Sequence, residues 1–334
     1  MDFTEKNWKN NIRTDLALET REMITEDEEQ EISGVKLTVD KDEEWDITVT
    51  KVEVLDENGS KIMNKPIGNY ITIESPSMKE SDMDSHEEII KATIEQISSI
   101  IKINKEDKIL VVGLGNRYVT ADALGPKVIS ELLVTRHLIE YVPDEIDESI
   151  GSVCAISPGV MGQTGIETVE IIEGVVKKVK PDLVIVIDAL ASRRTSRVNT
   201  TIQIADTGVH PGSGVGNKRK GLNKESLGVP VIAIGVPTVV DAATIVSDTI
   251  DYLIETIKEE ADDNSAMMKL IKQIDDEEKY VLLREVLTPY VGDMFVTPKE
   301  VDSVINRLAN IISNALNVAI HSGLDKKDIN RYMY

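Results

Sequence analysis

Three stretches of the chain are almost wholly apolar at consecutive positions: "ILVVGLG" at 109–115, "LVIVIDAL" at 183–190 and "VPVIAIGVP" at 229–237. A strand without polar alternation is buried on both of its faces, which only a sheet covered on both sides provides. The segments between and after these strands carry helical spacing. They are "PKVISELLVTRHL" at 126–138, "IETVEIIEGVVKKVK" at 166–180, stopped by Pro181, and "TVVDAATIVSDTIDYLIETIKEE" at 238–260. Strands and helices in alternation predict an α/β fold whose mostly parallel sheet is covered by helices on both faces.

The first hundred residues differ in texture. Acidic runs such as "ETREMITEDEEQE" surround short alternating stretches, "GVKLTV", "DITVTKVEVLD" and "NYITIE", which read as extra N-terminal strands with one wet face. "HEEIIKATIEQISSIIKIN" has the isoleucine spacing of a helix that leads into the first apolar strand. "VNTTIQIA" reads as one more strand, and two closing helices are expected around 265–287 and 298–322.

Charge and cysteine content narrow the function classes. Against 37 Lys and Arg stand 59 Asp and Glu, a formal charge of −22 that repels phosphate backbones and argues against a direct nucleic-acid partner. The single cysteine, Cys154, excludes an internal disulfide framework and a Cys-rich zinc site. No segment has the length and apolarity of a membrane span, so a cytoplasmic protein is expected.

Two βα connections each present a carboxylate among small side chains. The first is Asp122 in "GLGNRYVTADALGP". Gly113 and Gly115 match the start of a dinucleotide fingerprint, but Tyr118 occupies the place of the third glycine. Asp122 also suits a helix N-cap. Pro126, however, fits the first helical position, which makes Gly125 the cap and leaves Asp122 in the loop before it. The second carboxylate, Asp188, closes "LVIVID" at the carboxyl edge of a parallel sheet, where open α/β folds bind ligands. If the two strands are neighbours, Asp122 and Asp188 face one cleft. There one carboxylate can activate water while the other donates a proton.

Two other readings compete. A nucleotide or small anion could be held by Gly113, Gly115 and the loop "GSGVGNKRK" at 212–220. Alternatively a divalent metal could be held by Asp122, Asp188 and His210.

The stretches "NNIRTDLALE", "GLGNRYVTADALGPKV", "PGVMGQTGIET", "IDALASRRTSRVNTTIQIADTGVHPGSGVGNKRKG", "VPVIAIGVPTVVDA" and "LTPYVGDMFVTPKEVD" resemble the germination protease family, over nearly the whole chain. The opening turn is also similar to that of the hydrogenase maturation endopeptidases. The resemblance implies an endopeptidase acting on small acid-soluble spore proteins in the spore interior. It implies Asp122 and Asp188 as the catalytic pair, no cofactor or metal, and a homotetramer. It further implies a zymogen that removes its own pro-segment: an acid, a hydrophobic residue and Ala in "TDLA" place the cut between Asp15 and Leu16. Residues 1–15 are then the pro-segment and 16–334 a single peptidase domain. The pro-segment is expected to occlude the carboxylate cleft, with acid favouring its seating because Asp15 faces two other carboxylates. Two departures from the family stand out: Ala121 where its members carry Pro, and a shorter stretch near 262–275.

Overall fold

In the computed structural model the described residues are 14–321, apart from 26, 28–29, 148, 211–219, 261–281, 284, 288 and 291–293. The expected helix at 265–287, the shortened stretch near 262–275, most of the 212–220 loop and the first thirteen residues of the pro-segment therefore lie largely or wholly outside them.

Nine strands form one sheet: β1 (Val35–Asp42), β2 (Ile47–Val54), β3 (Gly68–Glu74), β4 (Lys108–Gly113), β5 (Ser152–Ile156), β6 (Leu183–Ser192), β7 (Thr201–Ala205), β8 (Val231–Asp241) and β9 (Phe295–Val296). The order is β1-β2-β3-β7-β8-β6-β4-β5, with β9 on β8. The centre, β8-β6-β4-β5, is parallel. The three N-terminal strands form an antiparallel wing that joins this centre through β7, antiparallel to both β3 and β8.

Ten α-helices have both ends among the described residues: α1 (Ala17–Glu22), α2 (Glu57–Met63), α3 (Met83–Ile100), α4 (Leu124–Ser130), α5 (Arg136–Tyr141), α6 (Met161–Thr164), α7 (Thr168–Val179), α8 (Lys224–Leu227), α9 (Ala242–Glu260) and α10 (Val301–Ile320). The central strands divide their side chains by parity, as pleating demands. Ile109 and Val111 of β4 and Ile185 and Ile187 of β6 pack in one core with α3, α4 and α10. Leu110, Val112, Val184 and Val186 pack in a second core with Val169, Ile172 and Val176 of α7. A third, smaller core joins α1 and α2 to β2 and β3 through Ala17, Leu18, Val52, Met63 and Tyr70.

Three boundaries differ from the sequence reading. Helix α4 begins at Leu124 with Ala123 as its N-cap, so Gly125 is not the cap and Pro126 is the third helical residue. That position tolerates proline for the same reason as the first, since the N–H groups of the opening turn lack intrahelical partners. The expected helix over 126–138 breaks after Ser130 because α10 intervenes. Asn317 accepts from Leu133 N–H at 3.0 Å and donates to the Glu131 carbonyl at 3.3 Å. Helix α9 starts at Ala242 and not at Thr238, because 238–241 continue β8, pairing with β6 and β9. The side chain of Asp241 then accepts from Ala243 N–H at 2.8 Å.

His321, fully buried at the end of α10, ties that helix to the segment before β5. Its Nδ1 accepts from Gly151 N–H at 3.1 Å, which leaves the proton on Nε2, 3.3 Å from the Leu133 carbonyl. Burial lowers its pKa below the ordinary 6.5, against a smaller opposing effect of the Leu133 carbonyl. A folded-state pKa below the unfolded one gives stability that is complete above 6.5 and lost as pH falls toward the folded value. Urea midpoints should therefore drop between about pH 7.5 and about pH 5.5, and drop less in His321→Gln, whose side chain does not titrate. Parallel curves for the two proteins would remove His321 from the account.

Candidate active site

Strand β4 ends where Gly113 pairs with Ile187, and Leu114 N–H donates to the Ile187 carbonyl at 2.8 Å. Beyond that point β4 turns away while β6 continues to Ser192, paired with β8 alone. Asp188 is thus not the last residue of its strand, as the sequence reading had it, but the first beyond the end of its neighbour. It is buried, on the face that carries Val184 and Val186, and its Oδ1 accepts from Ala189 N–H at 2.9 Å.

The glycines of the opening turn serve the return of the chain. Gly115 has φ +105°, and a Cβ there would lie 2.0 Å from the Asp122 carbonyl oxygen and 2.9 Å from its Oδ1. A Cβ on Gly113 would lie 2.3 Å from the Gly125 carbonyl oxygen. The two glycines let residues 122–125 pack directly on the end of β4, which fills the space a phosphate would need. The turn holds an acid. Asp122 ends a single 3-10 turn, Thr120–Asp122, and its Oδ2 accepts from Asn116 N–H at 2.8 Å.

Two further elements fix this loop. Thr120 Oγ1 donates to Asp302 of α10 at 2.9 Å. Strand β8 carries a bulge where Leu190 pairs with Pro237 and Ala191 with Val239, and the extra residue, Thr238, donates its buried hydroxyl to the Ala121 carbonyl at 2.7 Å. Bulges re-aim side chains in this way.

Asp122 and Asp188 line one cleft together with Leu114, Ala189, Thr238 and Asp15. Asp188 and Asp15 also line a second, adjoining cleft with Lys65, Gln203 and His210. The segment around the expected cut therefore sits at the junction of both. Asp15 N–H donates to the Ala191 carbonyl and the Asp15 carboxylate accepts from Ala191 N–H, each at 3.0 Å. Leu16 and Ala17 are fully buried. Helix α1 begins only at Ala17, so the Asp15–Leu16 bond lies in extended chain before it.

A buried ion cluster pins α1. Arg197 bonds Glu22 through both terminal nitrogens at 2.6 and 2.7 Å and Glu74 through Nε at 2.8 Å, with Glu19 at 3.6 Å. Glu19 also accepts from Arg193 and Arg194 N–H, at 2.6 and 3.0 Å, and from the Thr14 hydroxyl. Burial pushes Glu19 above the usual carboxylate range despite these donors. Burial also presses on Glu22, but its bonds to Arg197 and the charge of that guanidinium outweigh it and hold Glu22 below that range. Arg197, Lys65 and Gln203 were not singled out. For Gln203 one signal existed: it is the one long polar side chain in the buried strand "TIQIA".

Of the residues named for a metal, Asp122 lines the first cleft, His210 the second and Asp188 both. Among the described residues no group of three or more His, Cys, Asp or Glu side chains is placed to hold a metal ion. Of the proposed anion site, Gly113 and Gly115 are occupied by the packing of 122–125, and 212–219 lie outside the described residues. No described helix is long and apolar enough to cross a membrane.

The family model for germination protease matches residues 14–269 and 260–333. A germination protease of Caldanaerobacter subterraneus subsp. tengcongensis is 53% identical over 97% of this chain and 98% of its own length. That of Clostridium tetani is 51% identical over 96% and 99%, and that of a Bacillus cereus strain 44% identical over 98% of each. Among solved structures, the [NiFe] hydrogenase maturation protease HycI from Thermococcus kodakarensis KOD1 is 19% identical and covers 63% of this chain and 93% of its own, with a TM-score of 0.31.

Gly115→Ala tests the packing of the Asp122 loop. Forcing a Cβ into that conformation should cost roughly 1–3 kcal/mol of stability, read by urea denaturation, and should abolish any activity that needs Asp122. Wild-type stability in this variant would show that the turn relaxes at no cost.

Proposed function

Because this chain belongs to the germination protease family, we propose that it hydrolyses small acid-soluble spore proteins with water activated by Asp122 and Asp188, and that it matures by cutting its own Asp15–Leu16 bond. The single observation behind this reading is that both carboxylates and Asp15 line the same cleft. In the reaction one carboxylate, ionised, takes a proton from water, whose oxygen attacks the carbonyl carbon before the cut. The other, protonated, delivers its proton to the departing nitrogen as the C–N bond breaks. Two acids sharing a site favour such a singly protonated pair, which titrates as a unit.

In this reading residues 1–15 keep the cleft filled until they are removed. The carboxylate of Asp15 meets a backbone donor at Ala191 and the positive charge of Lys65, so its seating does not depend on repulsion by the pair being relieved. The charge of −22 has a role as well: an enzyme so negative avoids substrate while it coats DNA and accepts it once released.

Asp122→Asn and Asp188→Asn test the pair. Each should lower kcat on a purified small acid-soluble spore protein by roughly 10²–10⁴-fold, with Tm close to wild type. Either variant within about threefold of wild-type kcat would reject the aspartate mechanism.

A further inference from the structure

The aspartate pair accounts for the two proton transfers and leaves open what receives the negative charge that develops on the carbonyl oxygen. We propose that Lys65 and Gln203 hold that oxygen, and that Ala191 N–H reads the acidic side chain of the same residue. This inference rests on the reading that the Asp15–Leu16 bond is the one cut.

The geometry starts from one row of the sheet. Asp188 on β6 pairs with Gly235 on β8, and Gly235 pairs with Gln203 on β7. Paired residues project to the same face, so Asp188 and Gln203 stand on one side of the sheet about 10 Å apart, two strand spacings. Between them Gly235 has no side chain, and a Cβ there would lie 2.5 Å from Leu190 Cδ1. The bare position makes room for the Leu190 side chain, and Asp15, Asp188, Leu190 and Gln203 line one cleft there.

Two donors converge on the Asp15 carbonyl oxygen: Lys65 Nζ at 2.9 Å and Gln203 Nε2 at 3.3 Å. This is the oxygen of the bond expected to break. Gln203 reaches across that bond, because its Oε1 accepts from Ala17 N–H at 2.7 Å. That second contact fixes the orientation of the amide: a flipped side chain would set its NH₂ against the Ala17 N–H and its oxygen against the Asp15 carbonyl. Lys65 comes from the far side of the cleft, in the turn between α2 and β3. Lys65 is half-buried, and burial draws its pKa down against the opposing charges of Asp15 and Glu19.

In the uncleaved chain each contact is a hydrogen bond to a neutral carbonyl. As water adds to the carbon, the oxygen becomes an anion, and a cationic and an amide donor already in place bind it more strongly than the ground state. The intermediate collapses by breaking the C–N bond. A carboxylic acid forms on residue 15 and an amine on Leu16, with one water consumed. The side chain of the same residue is recognised separately: the Asp15 carboxylate accepts from Ala191 N–H while Asp15 N–H donates to the Ala191 carbonyl. A short acceptor side chain closes this ring, and the charge of Lys65 favours an acid in it.

The test uses the full chain with Lys65→Met, Lys65→Arg and Gln203→Leu. Two rates are followed: loss of residues 1–15 by intact mass and, on chains that have lost those residues, hydrolysis of an added peptide carrying an Asp-Leu-Ala sequence. Lys65→Met and Gln203→Leu should each slow self-cleavage and lower the peptide kcat by roughly 10²–10³-fold, with KM within about threefold and Tm near wild type. Lys65→Arg, which restores a charged donor, should recover at least about tenfold of the loss and decides the matter should Lys65→Met fail to fold. A raised KM with unchanged kcat, or self-cleavage at the wild-type rate, would make these residues mere anchors of the segment and overturn the inference. If wild type itself leaves the Asp15–Leu16 bond intact, the self-processing reading falls and this inference with it.

Discussion

The pairing of β4 with β6 is the constraint on which the site depends. These strands lie side by side, run parallel, and stop in different places: β4 at Gly113, opposite Ile187, and β6 at Ser192. Because they are neighbours, the loop that leaves β4 and the free extension of β6 share one corner of the sheet. Because they end out of step, Asp188 and Ala191 lie beyond the shelter of β4, with backbone and side-chain groups available to another segment. The Asp122 loop fills one side of that corner and Asp15 occupies another. Shifting the β6 register by one residue would turn Asp188 to the opposite face, into the core that holds Ile185 and Ile187.

The parts around this corner hold it at several points and by different means. Steric fit at Gly113 and Gly115 seats the Asp122 loop on β4. Hydrogen bonds from Thr120 to α10 and from Thr238 to the loop backbone fix its outer side. Charge does the equivalent for the other partner: Arg197, Glu19 and Glu22 hold α1, and α1 holds the chain just after Leu16. Breaking a buried pair of this kind by removing one member is destabilising by about 3–5 kcal/mol, so the cluster is a firm anchor even where its net contribution to stability is small. Cutting the chain before Leu16 removes the Thr14 hydroxyl from Glu19 but leaves the ion pairs of the anchor in place, because every charged member lies at residue 19 or beyond.

Much of this was legible in the sequence because it is local or periodic. The apolar runs marked β4, β6 and β8, and the alternation of "GVKLTV", "DITVTKVEVLD" and "NYITIE" marked the three strands of the wing. Asp122 and Asp188 stood out as carboxylates among small residues beside strand ends. The failures have a common cause. Proline at 126 points to a first helical residue, although the whole first turn tolerates it. The break after Ser130 depends on Asn317, nearly two hundred residues away. Lys65 and Gln203 meet at Asp15 only because β3, β7 and β8 are adjacent in the sheet, and nothing in "NKPIG" announces a lysine aimed at a peptide carbonyl. The bulge at Thr238 is equally silent, since it exists only as a mismatch between two strands.

The central claim is spatial: a peptide bond seated between two carboxylates from neighbouring crossovers. A crystal structure of the Asp122→Asn chain with residues 1–15 intact tests it most directly. The account predicts the Asp15 carbonyl carbon at the cleft, with a water directed toward that carbon and held within about 3.2 Å of Asp188 or of the amide at 122. Finding Thr14–Leu16 outside the cleft, or Asp188 turned away from it toward other partners, would contradict the account.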